Sequence, residues 1–231
     1  MAIAASSSGI DAGQGIANWA LTKAAGNANS GPRKKGWRVK IGIVSDIHCN
    51  AAGLRAALAL MGDVDELICL GDSIWEYRFS NEVADILKER RAHTIQGNHE
   101  ECFFGPLGER ARARPDNDGA LMTWLADRPH RMELERDGRK LLLVHSTPWE
   151  PRGAYIHPDS PELARFAEVD ADFVLYGHTH RQVARRFGRV MVVNPGSTGD
   201  ARDHANGRLL SCAVLDTASD DVRIIDFPNP P

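Results

Sequence analysis

Three polar residues recur along this chain at a fixed interval, each just past the end of a short apolar run. Asp46, Asp72 and Asn98 are separated by 72 − 46 = 26 and 98 − 72 = 26 residues. A strand, a crossover helix and the return to a parallel strand need about this length of chain. The carboxyl ends of parallel strands share one edge of an open sheet, where α/β proteins bind their ligands. The interval therefore predicts a βαβαβ unit with a pocket at that edge.

The second half of the chain has a different pattern, in which short strands follow one another. The apolar runs of the first half are 39–44, 66–70 and 92–96, separated by helical periodicity at 51–61 and 82–91. After a helix at 119–126, the predicted strands are 131–134, 140–144, 173–176, 190–193, 209–215 and 222–227, with one helix near 161–168 among them. This order predicts an α/β fold, a four-layer αββα sandwich of two mixed β-sheets flanked by helices.

The first 36 residues differ from the rest in composition. They are rich in Ala, Ser, Gly and Asn and end in a basic, turn-forming run at 31–36, so they offer little apolar surface to bury. We predict a flexible N-terminal extension over 1–36 and one domain over 37–231. An inert tail is preferred to a targeting or interaction arm, because the segment lacks a sustained amphipathic or Arg-rich pattern.

Charge and cysteine content restrict the surroundings in which the chain acts. The 28 Lys+Arg and 31 Asp+Glu give a net charge of −3, which provides no general attraction to nucleic acid or anionic lipid. The four cysteines lie far apart without a disulfide or metal-site spacing, as in reduced cytoplasmic proteins. The apolar runs are shorter than the roughly 18 residues of a membrane span. We therefore expect a cytoplasmic protein without membrane or general nucleic-acid partners.

Five motifs at predicted strand ends combine carboxylate, amide and imidazole groups. They are Asp46-Ile47-His48, Gly71-Asp72, Gly97-Asn98-His99-Glu100, Val144-His145 and Gly177-His178-Thr179-His180. Mixed oxygen and nitrogen donors suit Mn²⁺, Fe or Zn²⁺ better than Ca²⁺ or Mg²⁺, which prefer oxygen alone. A lone histidine is more often an ordinary surface or packing residue, and a lone aspartate often caps a helix. The complete set favours a metal site.

Taken in order, these motifs resemble those of the calcineurin-like metallophosphoesterases, in particular the small bacterial and archaeal phosphodiesterase branch. The resemblance runs from about Val39 to Phe227 and includes the late turn Asn194-Pro195-Gly196-Ser197 followed by Arg202-Asp203. It implies the sandwich of the metallo-dependent phosphatases, two divalent transition-metal ions and hydrolysis of a phosphoester. Mn²⁺ is the favoured ion, with Fe, Zn²⁺ or Ni²⁺ as alternatives.

The resemblance also implies a role for each motif residue. One ion would be bound by Asp46, His48, Asp72 and His180, and the second by Asp72, Asn98, His145 and His178. Asp72 would bridge the two ions, which would hold the attacking water as a hydroxide. His99 would be catalytic, as a proton donor to the leaving oxygen or a stabiliser of the transition state, with Asp46 or Glu100 as its partner. The sequence departs from the family pattern at Glu100, where aspartate is more common, and at Ser146, where glycine is usual.

The substrate is less well defined than the metal site. Trp75 and Tyr77 would either line the cleft or pack against the domain edge. Arg152 and Arg202 would either hold a phosphate oxygen or remain solvated on the surface. The branch favours phosphodiesters and small phosphoesters; phosphomonoesters, phosphoproteins and dinucleoside polyphosphates are the alternative substrates. A non-catalytic interaction scaffold is the second alternative, because a retromer subunit shares the fold without the catalytic residues. The sequence is compatible with a homo-oligomer.

Overall fold

The computed structural model describes residues 38–150 and 152–231, so the predicted extension over 1–36 lies outside the described residues. Within these ranges, ten strands form two five-stranded sheets. The strands are β1 (Lys40–Val44), β2 (Glu66–Cys69), β3 (His93–Thr94), β4 (Arg131–Arg136), β5 (Arg139–Val144), β6 (Phe173–Leu175), β7 (Val183–Phe187), β8 (Val190–Asn194), β9 (Leu210–Asp216) and β10 (Asp221–Phe227).

Both sheets mix parallel and antiparallel strands. The first has the order β10-β9-β1-β2-β3, in which β1, β2 and β3 are parallel, as the 26-residue interval predicts. β9 runs antiparallel to both β1 and β10. The second sheet has the order β4-β5-β6-β8-β7, with three parallel strands in the middle and an antiparallel strand at each edge. The polar segments after β1, β2, β3, β5 and β6 therefore follow the carboxyl ends of parallel strands.

The strands alternate their side chains between two apolar layers. Between the sheets, one core joins Ile41 and Ile43 of β1 to Leu141 and Leu143 of β5. The intervening residues on β5, Leu142 and Val144, face the outer core of the second sheet. Burying both faces of both sheets removes a large apolar area from water, which is the dominant favourable contribution to folding.

The helices of the described chain are α1 (Ala51–Met61), α2 (Asn81–Glu89), α3 (Asn98–Phe104), α4 (Glu109–Arg112) and α5 (Gly119–Ala126), with 3₁₀ helices at Pro106–Gly108 and Pro161–Glu168. α1 and α2 cover the outer face of the first sheet through Leu54, Val83 and Leu87. The second 3₁₀ helix covers the outer face of the second sheet through Leu163 and Phe166. The predicted four-layer class is confirmed. None of the helices in the described ranges has both the length and the apolarity needed to cross a bilayer.

Several local predictions are corrected. The helix predicted near 161–168 is present as the 3₁₀ helix Pro161–Glu168, and the strand predicted over 92–96 is limited to His93–Thr94. No sequence pattern predicts α3, α4 or β7. β7 is an edge strand in which the consecutive residues Ala184, Arg185 and Arg186 are all exposed, so its apolar alternation is weak.

Candidate metal centre

The loops that follow β1, β2, β5 and β6 meet at one edge of the two sheets. Their backbones are hydrogen-bonded to one another, with Asp46 N–H donating to Gly71 O (3.1 Å) and Gly177 N–H donating to His145 O (2.9 Å). Asp46 Oδ2 accepts hydrogen bonds from Ser45 Oγ (2.6 Å) and from His178 N–H (3.1 Å), which links the loops of different sheets. The side chains of the five sequence motifs are thereby brought to a common site.

One group of buried side chains consists of Asp46, His48 and His180, whose potential ligand atoms lie within 4.8 Å of one another. Nε2 of His180 is 3.1 Å from Nε2 of His48 and 3.4 Å from Oδ1 of Asp46. Two ligand atoms that each lie about 2.0–2.2 Å from one ion are separated by roughly 3 Å, so this spacing suits a shared cation. Asp46 Oδ1 is buried without a hydrogen-bond partner among the described residues, as an atom kept for a cation would be.

A second group consists of Asp72, His145 and His178. Nε2 of His145 lies 3.1 Å from Asp72 Oδ2 and 3.1 Å from Asn98 Oδ1, so Asn98 joins this group as an oxygen donor. Asp72 also lies within 4.8 Å of the nearest ligand atom of His48. Its carboxylate therefore stands between the two groups.

Three histidines have one ring nitrogen turned to a backbone carbonyl. His145 Nδ1 lies 2.7 Å from Leu70 O, His180 Nδ1 lies 3.0 Å from Asp200 O, and His178 Nε2 lies 3.1 Å from Gly153 O. A ring nitrogen that faces a carbonyl oxygen carries the proton, which leaves the lone pair on the other nitrogen. Metal-binding histidines are commonly oriented in this way. The donor set and its orientation therefore fit divalent transition-metal ions.

The charges of the site depend on its burial. Burial raises the pKa of Asp46 and lowers the pKa of His48 to about 3 and that of His178 to about 4. Burial also acts to raise the pKa of Asp72, but the charge and hydrogen bond of His145 more than offset it, and the net shift is downward. For His145 burial acts to lower the pKa, and Asp72 reverses this and raises it to about 10. The pKa values of His145 and Asp72 shift in opposite directions because each side chain favours the charged form of the other.

Five of the motif residues have left-handed backbone conformations: Asp46 (φ 51°), His48 (φ 49°), Asp72 (φ 50°), His178 (φ 66°) and His180 (φ 56°). For residues other than glycine this conformation costs about 1 kcal/mol or more each. Such strain persists where the surrounding structure maintains it, and it gathers at functional sites. Here it turns the chain sharply at each strand end, so that the side chains point to one place.

Glu100 and His99 have different partners from those expected. The carboxylate of Glu100 accepts hydrogen bonds from the backbone N–H groups of Asp72 (2.8 Å), Ser73 (2.7 Å) and Gly97 (2.9 Å), so it joins the loop after β2 to the start of α3. The expected pairing of His99 with Asp46 or Glu100 is wrong.

The partner of His99 is Glu76. Nδ1 of His99 lies 2.5 Å from Oε2 of Glu76 and 3.1 Å from the backbone nitrogen of the same residue. Nε2 of His99 faces Asp72 Oδ2 at 3.7 Å. Glu76 therefore orients the ring so that its other nitrogen points into the cluster.

The two aromatic candidates differ in position. The ring of Trp75 stacks on His48 with centroids 4.0 Å apart and meets His99 edge-on at 5.1 Å, so it forms one side of the cluster. Tyr77 is 55% exposed, and its hydroxyl lies 3.9 Å from Cys102 Sγ. A third aromatic ring, that of Tyr155, was not predicted from the sequence; it stacks on His178 with centroids 3.9 Å apart. It lies in an irregular loop where no periodic pattern marks it.

The two arginine candidates both form ion pairs. Arg152 NH1 lies 3.2 Å from Glu101 Oε1, and both residues line a cavity beside Asn98. Arg202 Nε lies 2.6 Å from the carboxylate of Asp200, the residue whose carbonyl faces His180. Arg152 therefore lies beside the second group of potential ligands, and Arg202 beside the first.

A four-layer sandwich with a buried carboxylate–imidazole cluster at its strand ends defines a metal-binding α/β protein. The chain belongs to the calcineurin-like phosphoesterase superfamily, whose domain model matches residues 39–220. This membership makes it a phosphoesterase by family, in agreement with the resemblance of its motifs.

Two relatives from Methanocaldococcus jannaschii are similar in sequence. A phosphodiesterase is 27% identical over 198 residues, covering 81% of this chain and 98% of the relative. An uncharacterized protein is 24% identical over 198 residues, covering 72% of this chain and 79% of the relative. A metallophosphoesterase from Sphaerobacter thermophilus has the same fold, with a TM-score of 0.68 and 23% identity over 83% of this chain and 89% of that one.

Proposed function

We propose that this chain is a dinuclear-metal-dependent phosphodiesterase. The observation that carries the proposal is the position of Asp72, whose carboxylate lies within 4.8 Å of potential ligand atoms in both groups of histidines. A carboxylate in that position is suited to bridge two ions, and two ions about 3.5–4 Å apart are typical of phosphoester hydrolases.

The proposed ligands divide between the two ions as the family resemblance implies. The first ion would be bound by Asp46, His48, Asp72 and His180, and the second by Asp72, Asn98, His145 and His178. Mn²⁺ is the favoured ion because the set combines three oxygen-donating side chains with four imidazole nitrogens. When bound, the two ions supply positive charge for the phosphoryl oxygens and an activated water.

The remaining chemistry belongs to side chains around the cluster. His99 donates a proton to the leaving oxygen or stabilises its developing charge, and Glu76 positions the ring for this role. Trp75 packs on His48 and restricts the orientation of that ring. Hydrolysis by an activated water in this arrangement would require no covalent phosphoenzyme.

A diester is the preferred substrate class because a relative that matches 81% of this chain is a phosphodiesterase. A phosphomonoester, a phosphoprotein or a dinucleoside polyphosphate is the alternative within the enzyme class. The scaffold alternative is disfavoured, because the seven proposed ligands and His99 are all present and lie at one site.

The test uses metal analysis and hydrolysis together. Purified protein loaded with Mn²⁺ is expected to hold two ions per chain and to hydrolyse bis-p-nitrophenyl phosphate faster than p-nitrophenyl phosphate, which has the same leaving group. His99→Ala should keep both ions and lower kcat by about 10²–10⁴-fold. His204→Ala, a change of an exposed histidine, is the matched control and should keep full activity.

Protein that binds no transition metal and shows no manganese-stimulated hydrolysis would support the scaffold. Faster hydrolysis of the monoester would support the monoesterase alternative. Loss of the ions in His99→Ala would contradict the role given to that residue.

A further inference from the structure

A cavity of about 220 Å³ lies directly beside the second group of potential ligands. Asn98 and His145 form part of its floor, and Glu101, His130 and Arg152 form its sides. Glu101 belongs to α3, the helix that begins at Asn98, whereas Arg152 directly precedes Gly153, whose carbonyl faces His178. The cavity walls are therefore built on the same elements as the cluster, and a phosphate at the cluster would have this cavity beside one of its ester groups.

The charged groups of the cavity occur in opposite pairs. Glu101 Oε1 lies 3.1 Å from His130 Nδ1 and 3.2 Å from Arg152 NH1. Arg152 Nε also lies 3.6 Å from Glu150 Oε1, and Arg131 NH2 lies 2.7 Å from Glu133 Oε1. Within the cavity lining, two carboxylates (Glu101 and Glu150) are matched by two guanidinium groups (Arg131 and Arg152), so neither an anion nor a cation is favoured over the other.

The same walls suit neutral groups that both donate and accept hydrogen bonds. A carboxylate accepts and a guanidinium donates, so a pair of them can bind adjacent hydroxyl groups. Neither side chain is fully buried: Glu101 is 44% exposed and Arg152 is 52% exposed. The volume corresponds to roughly seven water molecules at about 30 Å³ each, which is enough for a glycerol or a single sugar ring.

We propose that this cavity, the alcohol pocket, binds the hydroxyl-bearing alcohol of a phosphodiester such as a glyceryl or glycosyl ester, with Glu101 and Arg152 as the residues that determine this specificity. The inference rests on the proposed function and adds the substrate class to it. Hydrogen bonds to the hydroxyl groups replace part of the Glu101–Arg152 ion pair. An ester whose alcohol part carries no free hydroxyl group, such as a propyl ester, makes no hydrogen bonds to Glu101 and Arg152 and is bound less tightly.

The test compares two diesters that differ only in the alcohol. p-Nitrophenyl glyceryl phosphate and p-nitrophenyl propyl phosphate share the leaving group, so nitrophenolate release reports kcat/KM for both. The Mn²⁺-loaded full chain is expected to prefer the glyceryl ester at least tenfold. Glu101→Ala and Arg152→Ala should each reduce the preference to less than threefold, mainly by lowering kcat/KM for the glyceryl ester. The control pair is Glu82→Ala and Arg55→Ala, which breaks a surface ion pair between α1 and α2 and should keep the preference.

Each other outcome overturns the proposal. Equal kcat/KM values for the two esters in the unaltered chain would contradict the alcohol pocket but not the proposed function. No hydrolysis of either ester would contradict both the pocket and the proposed function. A glyceryl ester that carries a second phosphate and reacts faster than the plain glyceryl ester would indicate an anion pocket. Loss of bound Mn²⁺ in Glu101→Ala or Arg152→Ala would show that these residues act on the cluster, and metal analysis of each variant measures this.

Discussion

The charge of the Asp72 carboxylate depends on two influences that oppose each other. Burial favours the neutral form, whereas His145 at 3.1 Å favours the ionised form and prevails. Its other oxygen, Oδ1, accepts a hydrogen bond from His99 N–H (2.9 Å), which fixes the orientation of the group. The side chain is thus held with one oxygen toward α3 and the other toward the histidines.

Asp72→Asn tests the bridging role. The amide keeps an oxygen for the His99 N–H but loses the negative charge that two cations would share, so we expect both ions to be lost and hydrolysis to fall by about a thousandfold or more. Metal content is measured by plasma mass spectrometry, and folding is checked by circular dichroism. Asp63→Asn, at an exposed position, is the control. A folded Asp72→Asn protein that still binds two ions would contradict the bridging role.

Ser146 connects the two histidines of the second group. Its Oγ accepts a hydrogen bond from Gly153 N–H (2.8 Å), and the carbonyl of Gly153 faces His178 Nε2 at 3.1 Å. Gly153 has a φ of 93°, which glycine adopts without strain. Ser146 thus holds the loop that orients His178.

Ser146→Ala should therefore weaken metal binding as well as stability. Loss of the acceptor leaves the Gly153 N–H unpaired, with an expected cost of about 1 kcal/mol, and the freed loop should lower Mn²⁺ affinity by about 10-fold or more. Ser80→Ala is a matched control, because Ser80 caps α2 and its loss costs about the same stability away from the cluster. Affinity is measured by competition with a chelator. Equal Mn²⁺ affinities in the two variants would contradict this role for Ser146.

The residue types of the site could be predicted from sequence, but their partners could not. Carboxylates and histidines at successive strand ends indicate a metal site because parallel strands share an edge. The contact of Glu76 with His99 and the stacking of Tyr155 on His178 arise from irregular loops, whose paths no hydrophobic period records. The left-handed conformations of the motif residues also have no sequence signal, because they are imposed by the surrounding structure.

Helices and strands were predicted correctly where the local sequence signals agree with the packing of the element in the fold. α1 and α5 have the predicted bounds, since each combines an apolar face with a capping side chain, Asn50 or Asp118. α3 was missed because its first turn holds Asn98 and His99, which were interpreted only as site residues. The 3₁₀ helix Pro161–Glu168 has the composition of an amphipathic α-helix, and sequence alone does not distinguish the two.

At the end of the sheets away from the cluster, an ion-pair network joins three strands. Glu66, the first residue of β2, contacts His93 of β3 (2.9 Å) and Arg136 of β4 (2.5 Å). Arg136 belongs to the second sheet, so the network connects the two sheets. Although burial acts to raise the pKa of Glu66, Arg136 and His93 together hold it below its ordinary value.

Glu66→Gln should destabilise the domain in a pH-dependent manner. Since the folded-state pKa is lowered, the ionised Glu66 contributes stability above its unfolded-state pKa of about 4.3 and loses it as the pH falls through the folded-state value. We expect a loss of about 1 kcal/mol at pH 7, because the pair is partly exposed, and a smaller difference below pH 4. Urea unfolding of both proteins at several pH values measures this. A difference that grows as the pH falls would contradict the sign.

For the molecule as a whole, the cluster concentrates buried carboxylates and strained backbone at one edge. Asp46 and Asp72 are both buried there, burial acts to raise the pKa of each carboxyl group, and the charge of Asp72 acts to raise the pKa of Asp46 further. Bound cations offset this unfavourable charge and stabilise the folded state by mass action. Cations bound at this edge should therefore stabilise the whole domain.

Removal of the cations should accordingly lower the thermal stability of the domain. At a free Mn²⁺ concentration of about 100 times Kd, binding contributes about 2.7 kcal/mol, which corresponds to a fall in Tm of roughly 5–10 °C on chelation in a domain of this size. Thermal unfolding is followed by circular dichroism with Mn²⁺ and with EDTA. Asp72→Asn should show no such difference. An unchanged Tm in the unaltered chain would indicate that the cluster binds no cation.

The most direct measurement is a crystal structure of the Mn²⁺-loaded protein with anomalous scattering recorded at the manganese edge. We expect two anomalous peaks about 3.5–4 Å apart, with the carboxylate of Asp72 in contact with both. A single peak, no peak, or two peaks without Asp72 between them would contradict the dinuclear centre.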